Sequence, residues 1–105
     1  MIAQTPEPPY YAVIFTNEKN ADLSDYEDTA QRMVELAAEQ PGFLGLESTG
    51  EEFAVTVSYW DSLEAIKNWK QHSEHIIAQQ RGIKQWYKAY KTRICVVERD
   101  YGFEA

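Results

Sequence analysis

Hydrophobic residues alternate with other residues along four segments of the chain and recur at helical spacing along two more. Alternation is typical of strands, which are predicted over 10–16, 43–49, 53–60 and 88–99. Helical spacing predicts amphipathic helices over 24–40 and 61–81, and residues 18–22 form a predicted polar loop. The order β-α-β-β-α-β indicates an α+β, ferredoxin-like fold with two helices on one face of a four-stranded antiparallel sheet.

Both predicted helices begin with a capping-box pattern, in which a short polar residue is followed three positions later by glutamate. Ser24 and Glu27 form this pattern in the first helix, and Asp61 and Glu64 form it in the second. Glycine ends helices readily, so Gly42 and Gly82 are the predicted stops.

The strands carry apolar residues on both faces. On the face that the helices leave bare, the first strand presents either Tyr11 and Phe15 or Tyr10 and Ile14. A monomer would not leave an apolar sheet face of this area in water. The same face of a second copy is the simplest cover, so the sequence predicts a homodimer.

Composition places the chain among ordinary single-domain globular proteins. It has 105 residues, 44% of them hydrophobic and 26% charged. A net charge of −7 argues against binding to nucleic acid or to an anionic membrane. Residues 1–9 are predicted to form a flexible arm without a signal peptide, and 100–105 a short tail. With Cys95 as the single cysteine and no long apolar run, a cytoplasmic location is expected.

The residues with chemical potential are concentrated between Trp60 and Tyr87, which include all three tryptophans and both histidines. On the second helix His72 borders the apolar face beside Trp69, and His75 follows three residues later. Histidines at this spacing can chelate a metal, but no further ligand accompanies them at suitable spacing, so no metal site is predicted. No phosphate-binding loop or Ser–His–Asp arrangement is present either.

Several motifs within about residues 10–99 together resemble a known family. They are a strand that ends at Asn17, the turn Pro41-Gly42-Phe43, and the helix start Trp60-Asp61-Ser62 with Trp69 nine residues after Trp60. With these motifs the chain resembles the antibiotic biosynthesis monooxygenase superfamily of dimeric α+β barrels. It is particularly similar to one bacterial branch in the segments Trp69-Lys70, Glu74-His75, Gln80-Arg81-Gly82, Trp86-Tyr87 and Glu98-Arg99-Asp100-Tyr101.

The resemblance implies a monooxygenase that uses no cofactor, and a cavity between helices and sheet that Asn17 and Trp69 line. In the haem-degrading members an iron-ligating histidine follows that tryptophan by ten residues. Here that position is Gln79, and an amide does not replace imidazole as a haem ligand. Haem degradation is therefore the less favoured alternative, kept open by His75, which lies one turn away.

A cofactor-independent oxygenase needs an electron-rich substrate such as a phenol or hydroquinone, a base that titrates near neutrality, and donors for the developing oxyanion. Histidine suits the role of base. The predicted catalytic residues are His72, His75 and Asn17. The predicted substrate-binding residues are Trp69, Trp86 and Tyr87.

Simpler interpretations remain open for each of these residues. Either histidine could serve a surface or structural role, Asn17 could be a turn former, and Trp69 could be an ordinary core residue. Trp86 and Tyr87 could close the cavity or lie at the dimer seam. The alternative to an enzyme is a non-catalytic dimeric domain that binds a small ligand or serves a stress-related role.

Overall fold

A computed structural model describes the backbone of residues 1–80 and 85–105 and the side chains of 1–74 and 85–105. Its elements are β1 (Tyr10–Lys19), α1 (Tyr26–Ala38), β2 (Phe43–Gly50), β3 (Phe53–Trp60), α2 (Leu63–Gln80) and β4 (Tyr87–Val97). The predicted ferredoxin-like fold is confirmed. The predicted helix stop at Gly82 lies outside the described residues. Among the described helices, none is both long and apolar enough to cross a membrane.

The four strands form one antiparallel sheet in the order β2-β3-β1-β4, so β1 is a central strand. Directly paired residues point to the same face of a sheet. Tyr11, paired with Trp60, packs with it against the second helix, where Ala65 and Ile66 complete the buried cluster. The helices therefore cover the face that carries Tyr11, Val13, Phe15, Asn17 and Lys19 of β1.

The first strand is three residues longer than predicted. Glu18 pairs with Phe53 on one side and Ala89 on the other, and the Lys19 amide donates to the Glu52 carbonyl at 2.8 Å. The prediction of a polar loop over 18–22 was therefore wrong at its first two residues. Because partners on both sides satisfy its backbone groups, a polar segment here continues as strand.

Both predicted capping boxes were wrong. In α2 the Ala65 amide donates to Ser62 Oγ at 3.1 Å, so Ser62 rather than Asp61 caps the helix. In α1 the N-cap is Asp25, in the left-handed region at φ 64°, and its side chain makes no cap hydrogen bond. The Ser24 hydroxyl donates instead to the Asp22 carboxylate at 2.6 Å, because the chain turns before the helix begins.

Gly42 lies between α1 and β2, where two elements approach closely. Its φ is +89°, and a Cβ there would meet the Asp61 carboxylate and lie 2.7 Å from the Ala65 Cβ. The Asp61 amide also donates to the Gly42 carbonyl at 2.9 Å. This turn therefore requires glycine both for conformation and for space.

The second face of the sheet carries Tyr10 and Ile14, which decides between the two predicted pairs. Both chain ends lie across the Tyr10 end of this face. The Tyr10 hydroxyl donates to the Asp100 carboxylate, and the Ala3 amide donates to the Glu47 carboxylate at 3.0 Å. At the other end of the face Phe53 is 61% exposed. Dimerisation through this face and flexibility of residues 1–9 both stay predictions.

Candidate functional site

A cleft of about 630 Å³ opens between the end of β1, the start of α1 and the β2–β3 hairpin. Phe15, Asn17 and Lys19 form its floor, and Tyr26 stands on the helix side. Pairing along β1 and β3 gives the floor its shape, since the small residues Ala54 and Thr56 of β3 line it as well. Bulky side chains would fill this space, so the small residues of β3 keep it open.

Asn17 lies at the bottom of the cleft and is 3% exposed. Its side-chain oxygen accepts a hydrogen bond from Lys19 Nζ at 2.8 Å. The predicted placement of Asn17 beside a cavity agrees with this geometry. Its predicted catalytic role stays a hypothesis.

Lys19 is the residue that sequence reasoning missed. It is 6% exposed, and its ammonium donates to Asn17 Oδ1 and to the Glu51 carbonyl, each at 2.8 Å. The ammonium also lies 5.3 Å from the centre of the Tyr26 ring, within cation–π distance. The alternation Phe15, Asn17, Lys19 carried the signal, but the polar composition after Asn17 favoured a loop.

An aromatic cluster toward β4 packs behind Phe15 and Tyr26, the two aromatic residues that line the cleft. The Tyr26 ring centre lies 5.6 Å from Trp86 and 6.2 Å from Tyr87, while Phe15 lies 5.6 Å from Tyr87 and 5.6 Å from Tyr90. Three of these four pairs pack edge to face and Phe15–Tyr90 is tilted, an arrangement that holds the rings in fixed orientations. Trp86 and Tyr87, two of the three predicted substrate-binding residues, therefore pack behind Phe15 and Tyr26 and are not themselves among the residues that line the cleft.

Hydrogen bonds fix this aromatic cluster at the start of β4. The Trp86 indole donates to the Ser24 carbonyl at 2.9 Å, and the Asn20 amide donates to the Trp86 carbonyl at 2.7 Å. Burial, reinforced by the neighbouring Tyr26, raises the pKa of Tyr87 well above its ordinary value. The Tyr87 hydroxyl therefore stays protonated at neutral pH.

The predicted site residues of the second helix do not line the cleft in the described part of the chain either. Trp69 stacks on Trp60 with ring centres 6.2 Å apart, and the exposed His72 lies 5.8 Å from Trp69. Neither Trp69 nor His72 is among the residues that line the cleft. The side chain of His75 lies outside the described residues.

The rim of the cleft carries both charge signs. Glu27, Glu51, Glu52 and Lys88 line it with exposed side chains. Within the described residues, no group of three or more histidine, cysteine or acidic side chains is placed to hold a metal ion. The arrangement suits a small, largely aromatic ligand with an oxygen atom directed at Asn17 and Lys19.

Comparison with known proteins gives one family and one close relative. The model of the antibiotic biosynthesis monooxygenase family matches residues 9–81. The uncharacterized protein YqjZ of Bacillus subtilis (strain 168) is 50% identical over 105 residues, covering 98% of this chain and 92% of that protein.

Solved structures share the fold at low identity. SnoaB, a cofactor-independent oxygenase from Streptomyces nogalater, has a TM-score of 0.71 and 11% identity over 89% of this chain and 97% of its own. A MhuD mutant with two manganese protoporphyrin IX molecules bound per active site has a TM-score of 0.63 and 22% identity over 89% and 99%. At such identity these likenesses show a common fold.

Proposed function

The chain belongs to the antibiotic biosynthesis monooxygenase family, and on this premise we propose that it is a cofactor-independent monooxygenase acting on a small aromatic or quinol-like compound. The observation that carries the proposal is the cleft, where the Asn17 amide and the Lys19 ammonium face aromatic rings. Its volume of about 630 Å³ is in the range of small-ligand sites. The cofactor-independent oxygenase SnoaB, with the same fold, supports the proposal.

The proposed reaction converts a hydroxyarene into a quinone with dioxygen as the only oxidant. Loss of the hydroxyl proton makes the ring electron-rich, and the ring then donates electrons to dioxygen. One oxygen atom becomes the new quinone carbonyl, and the other leaves as water with the two hydrogens that the substrate loses. The substrate supplies all the electrons, so the protein has to ionise the hydroxyl, stabilise the oxyanion and restrict water.

We assign the roles of the site residues from their positions. Asn17 positions the substrate oxygen, while Trp86 and Tyr87 support the rings of Phe15 and Tyr26, against which the substrate ring packs. Trp69 is assigned a supporting role, in which it packs the second helix onto Trp60 of the sheet. The base is assigned to His72 or His75.

Backbone geometry favours His75 over His72 as that base. The second helix leads from Trp60 to the start of β4 at Tyr87, which pairs with Lys19. His75 therefore lies about 4.5 Å nearer than His72, along the helix axis, to the end of the helix that precedes β4. His72 itself is exposed and does not line the cleft.

Oxygen uptake tests the proposal directly. The wild type is supplied with a panel of dihydroxyaromatic compounds and compared with Asn17→Ala, His72→Ala and His75→Ala. Asn68→Ala and Gln71→Ala are the controls, because each removes a side-chain amide from an exposed position of the second helix, which also carries both histidines. We expect losses of about 100-fold for Asn17→Ala and for the variant lacking the base. If the wild type takes up no oxygen, or if oxygen uptake survives all three substitutions, the proposed monooxygenase activity is refuted.

A non-catalytic ligand-binding domain is the second candidate. The position of His72 favours this candidate. Among the described side chains His72 is the one histidine, and it lies beside Trp69 and does not line the cleft. Under this hypothesis the same aromatic compounds bind in calorimetry without oxygen uptake. Binding that is always accompanied by turnover would eliminate it.

The homodimer is proposed separately, on the second face of the sheet. Tyr10 and Ala12 are buried there, with Thr5 and Asp100 of the chain ends against Tyr10, but Phe53 stays 61% exposed and Ile14 and Val57 are half-buried. A second copy that packs sheet against sheet would remove this apolar surface from water. Sedimentation equilibrium should give twice the chain mass, and Val57→Lys should give a monomer. A wild type that stays monomeric at high concentration would refute this interface.

A further inference from the structure

Lys19 is a buried charge without an acidic partner. It is 6% exposed, and no carboxylate of the described residues lies within ion-pair distance of its ammonium. Among those residues an ion pair joins Lys70 and Glu74 on the exposed side of the second helix, at 3.8 Å. Proteins bury lysine rarely, and buried charges are normally paired. The position of Lys19 therefore calls for an explanation.

The contacts of the ammonium leave its charge uncompensated. Two of its three N–H groups reach neutral acceptors, Asn17 Oδ1 and the Glu51 carbonyl, at 2.8 Å each. The face of the Tyr26 ring, 5.3 Å away, provides a third neutral neighbour. These groups hold the ammonium in one place and supply only partial negative charge. Among the described residues the third N–H group has no hydrogen-bond acceptor, so this group and the net positive charge remain for a ligand.

The ammonium lies in the wall of the cleft and not in a closed core. Lys19 and Asn17 both line the space of about 630 Å³, together with Phe15 and Tyr26. A small aromatic ring that packs against Phe15 and Tyr26 places an oxygen substituent next to the buried charge. The environment is then poor in water, where a charge-assisted hydrogen bond is strong.

We propose that Lys19 is the oxyanion-binding residue of this cleft and that it selects aromatic ligands with an ionised hydroxyl, that is, phenolates. Asn17 is a positioning residue that holds the Lys19 ammonium through Oδ1. The choice of an aromatic ligand rests on the proposed function, whereas the selection of an anion rests on Lys19 alone. Binding the phenolate lowers the pKa of the bound phenol, whose proton leaves to solvent, and no electron is transferred in this step.

Other charged groups face the same space and act on the same equilibrium. They are Glu27 of the first helix, Glu51 and Glu52 of the hairpin, and Lys88 of the last strand. All four are exposed, so water screens them more strongly than the buried ammonium. The three carboxylates oppose anion binding and the exposed Lys88 favours it weakly, so the comparison of wild type with Lys19→Met is what attributes a preference for the phenolate to Lys19.

The test uses 4-nitrophenol, whose phenolate absorbs visible light and whose ionisation is followed without turnover. The absorbance of the bound probe is titrated against pH for the wild type, Lys19→Met, Lys19→Arg and the control Lys67→Met, an exposed lysine of the second helix. We expect the bound probe to ionise at lower pH than the free probe in the wild type, in Lys19→Arg and in Lys67→Met. In Lys19→Met we expect the affinity for the phenolate to fall about tenfold and the shift to disappear.

A second variant keeps the test independent of the folding of Lys19→Met. Asn17→Asp is nearly isosteric and places a carboxylate beside the ammonium, so it should also abolish the shift. An unchanged shift in both Lys19→Met and Asn17→Asp, or a wild type that does not bind the probe, would overturn the proposal. A shift that depends on Lys19 without oxygen uptake from any substrate rejects the oxygenase and leaves this site standing. Oxygen uptake that is unchanged in Lys19→Met supports the oxygenase and rejects this role of Lys19.

Discussion

Replacement of Lys19 by methionine tests whether the buried ammonium is needed for ligand binding or for the stability of the fold. Methionine keeps a long unbranched side chain at this 6%-exposed position and removes the charge. If the lysine were structural, its loss would destabilise the protein as strongly as breaking a buried ion pair. If it is kept for a ligand, the free energy of unfolding should change little while anion binding is lost.

The contacts allow the size of the effect to be estimated. The hydrogen bonds to Asn17 Oδ1 and to the Glu51 carbonyl are worth about 1.5–3 kcal/mol each, and the contact with the Tyr26 ring about 1 kcal/mol. Against this, taking an ammonium out of water costs roughly 4 kcal/mol, a cost that methionine does not have. The apolar surface of methionine contributes about 1 kcal/mol more. We therefore expect the free energy of unfolding to stay within about 2 kcal/mol of the wild type.

Urea denaturation at neutral pH, followed by tryptophan fluorescence, measures this difference. Lys67→Met is the matched control, since it removes an exposed lysine and should change stability by less than about 0.5 kcal/mol. If the free energy of unfolding falls by about 4 kcal/mol or more in Lys19→Met while the control is unchanged, Lys19 is a structural residue and its proposed retention for a ligand is refuted. A near-neutral change together with a lost preference for phenolate would support the ligand site.

Four further predictions concern the core, the second face, a turn and the cleft. Trp60→Ala should cost about 3–5 kcal/mol in urea denaturation, because Trp60 is 0% exposed and no small side chain fills its place. The hydrogen bond from Tyr59 lowers the pKa of Glu47, so its contribution to stability is present above the ordinary pKa of glutamate and is lost as pH falls through the lowered value. Glu47→Gln should therefore flatten the decline of the urea midpoint below about pH 4. Gly42→Ala should cost about 1–3 kcal/mol because of its positive φ and crowded surroundings, whereas Gly102→Ala, with open space around it, should be neutral. Titration with haemin should give no Soret shift, because the described residues that line the cleft include no histidine or cysteine to ligate iron.

Distinct outcomes would count against each of these four. A Trp60→Ala variant that loses less than about 1 kcal/mol would place the centre of the core elsewhere. A midpoint of Glu47→Gln that declines in parallel with the wild type would remove Glu47 from the acid response. Equal stabilities of the two glycine variants would show that the turn tolerates a side chain. A Soret shift that vanishes in His75→Ala would restore the haem alternative.

The hydrophobic pattern was sufficient to predict the fold because local spacing and global burial agree along this chain. Alternation over 53–60 gave the third strand without error, and the order of the elements gave the ferredoxin-like sheet. Asn17 was identified as a site residue through a family resemblance, and it does lie in the cleft. Helix starts were predicted less well, since Ser62 and not Asp61 caps α2 and Ser24 bonds to Asp22. Neighbouring polar residues compete for the same backbone amides, and tertiary contacts choose among them.

The sequence by itself determined which elements form and which of their faces are apolar, because these depend on the periodicity of neighbouring residues. Only the tertiary structure decided that Lys19 is buried and that His72 stays outside the cleft. The Lys19 ammonium is held by Glu51, 32 positions away in sequence, and by Tyr26 of another element. No local pattern records such long-range contacts, since they arise when the end of β1, the hairpin and the first helix meet. The chemistry of the cleft is thus a property of the packed chain.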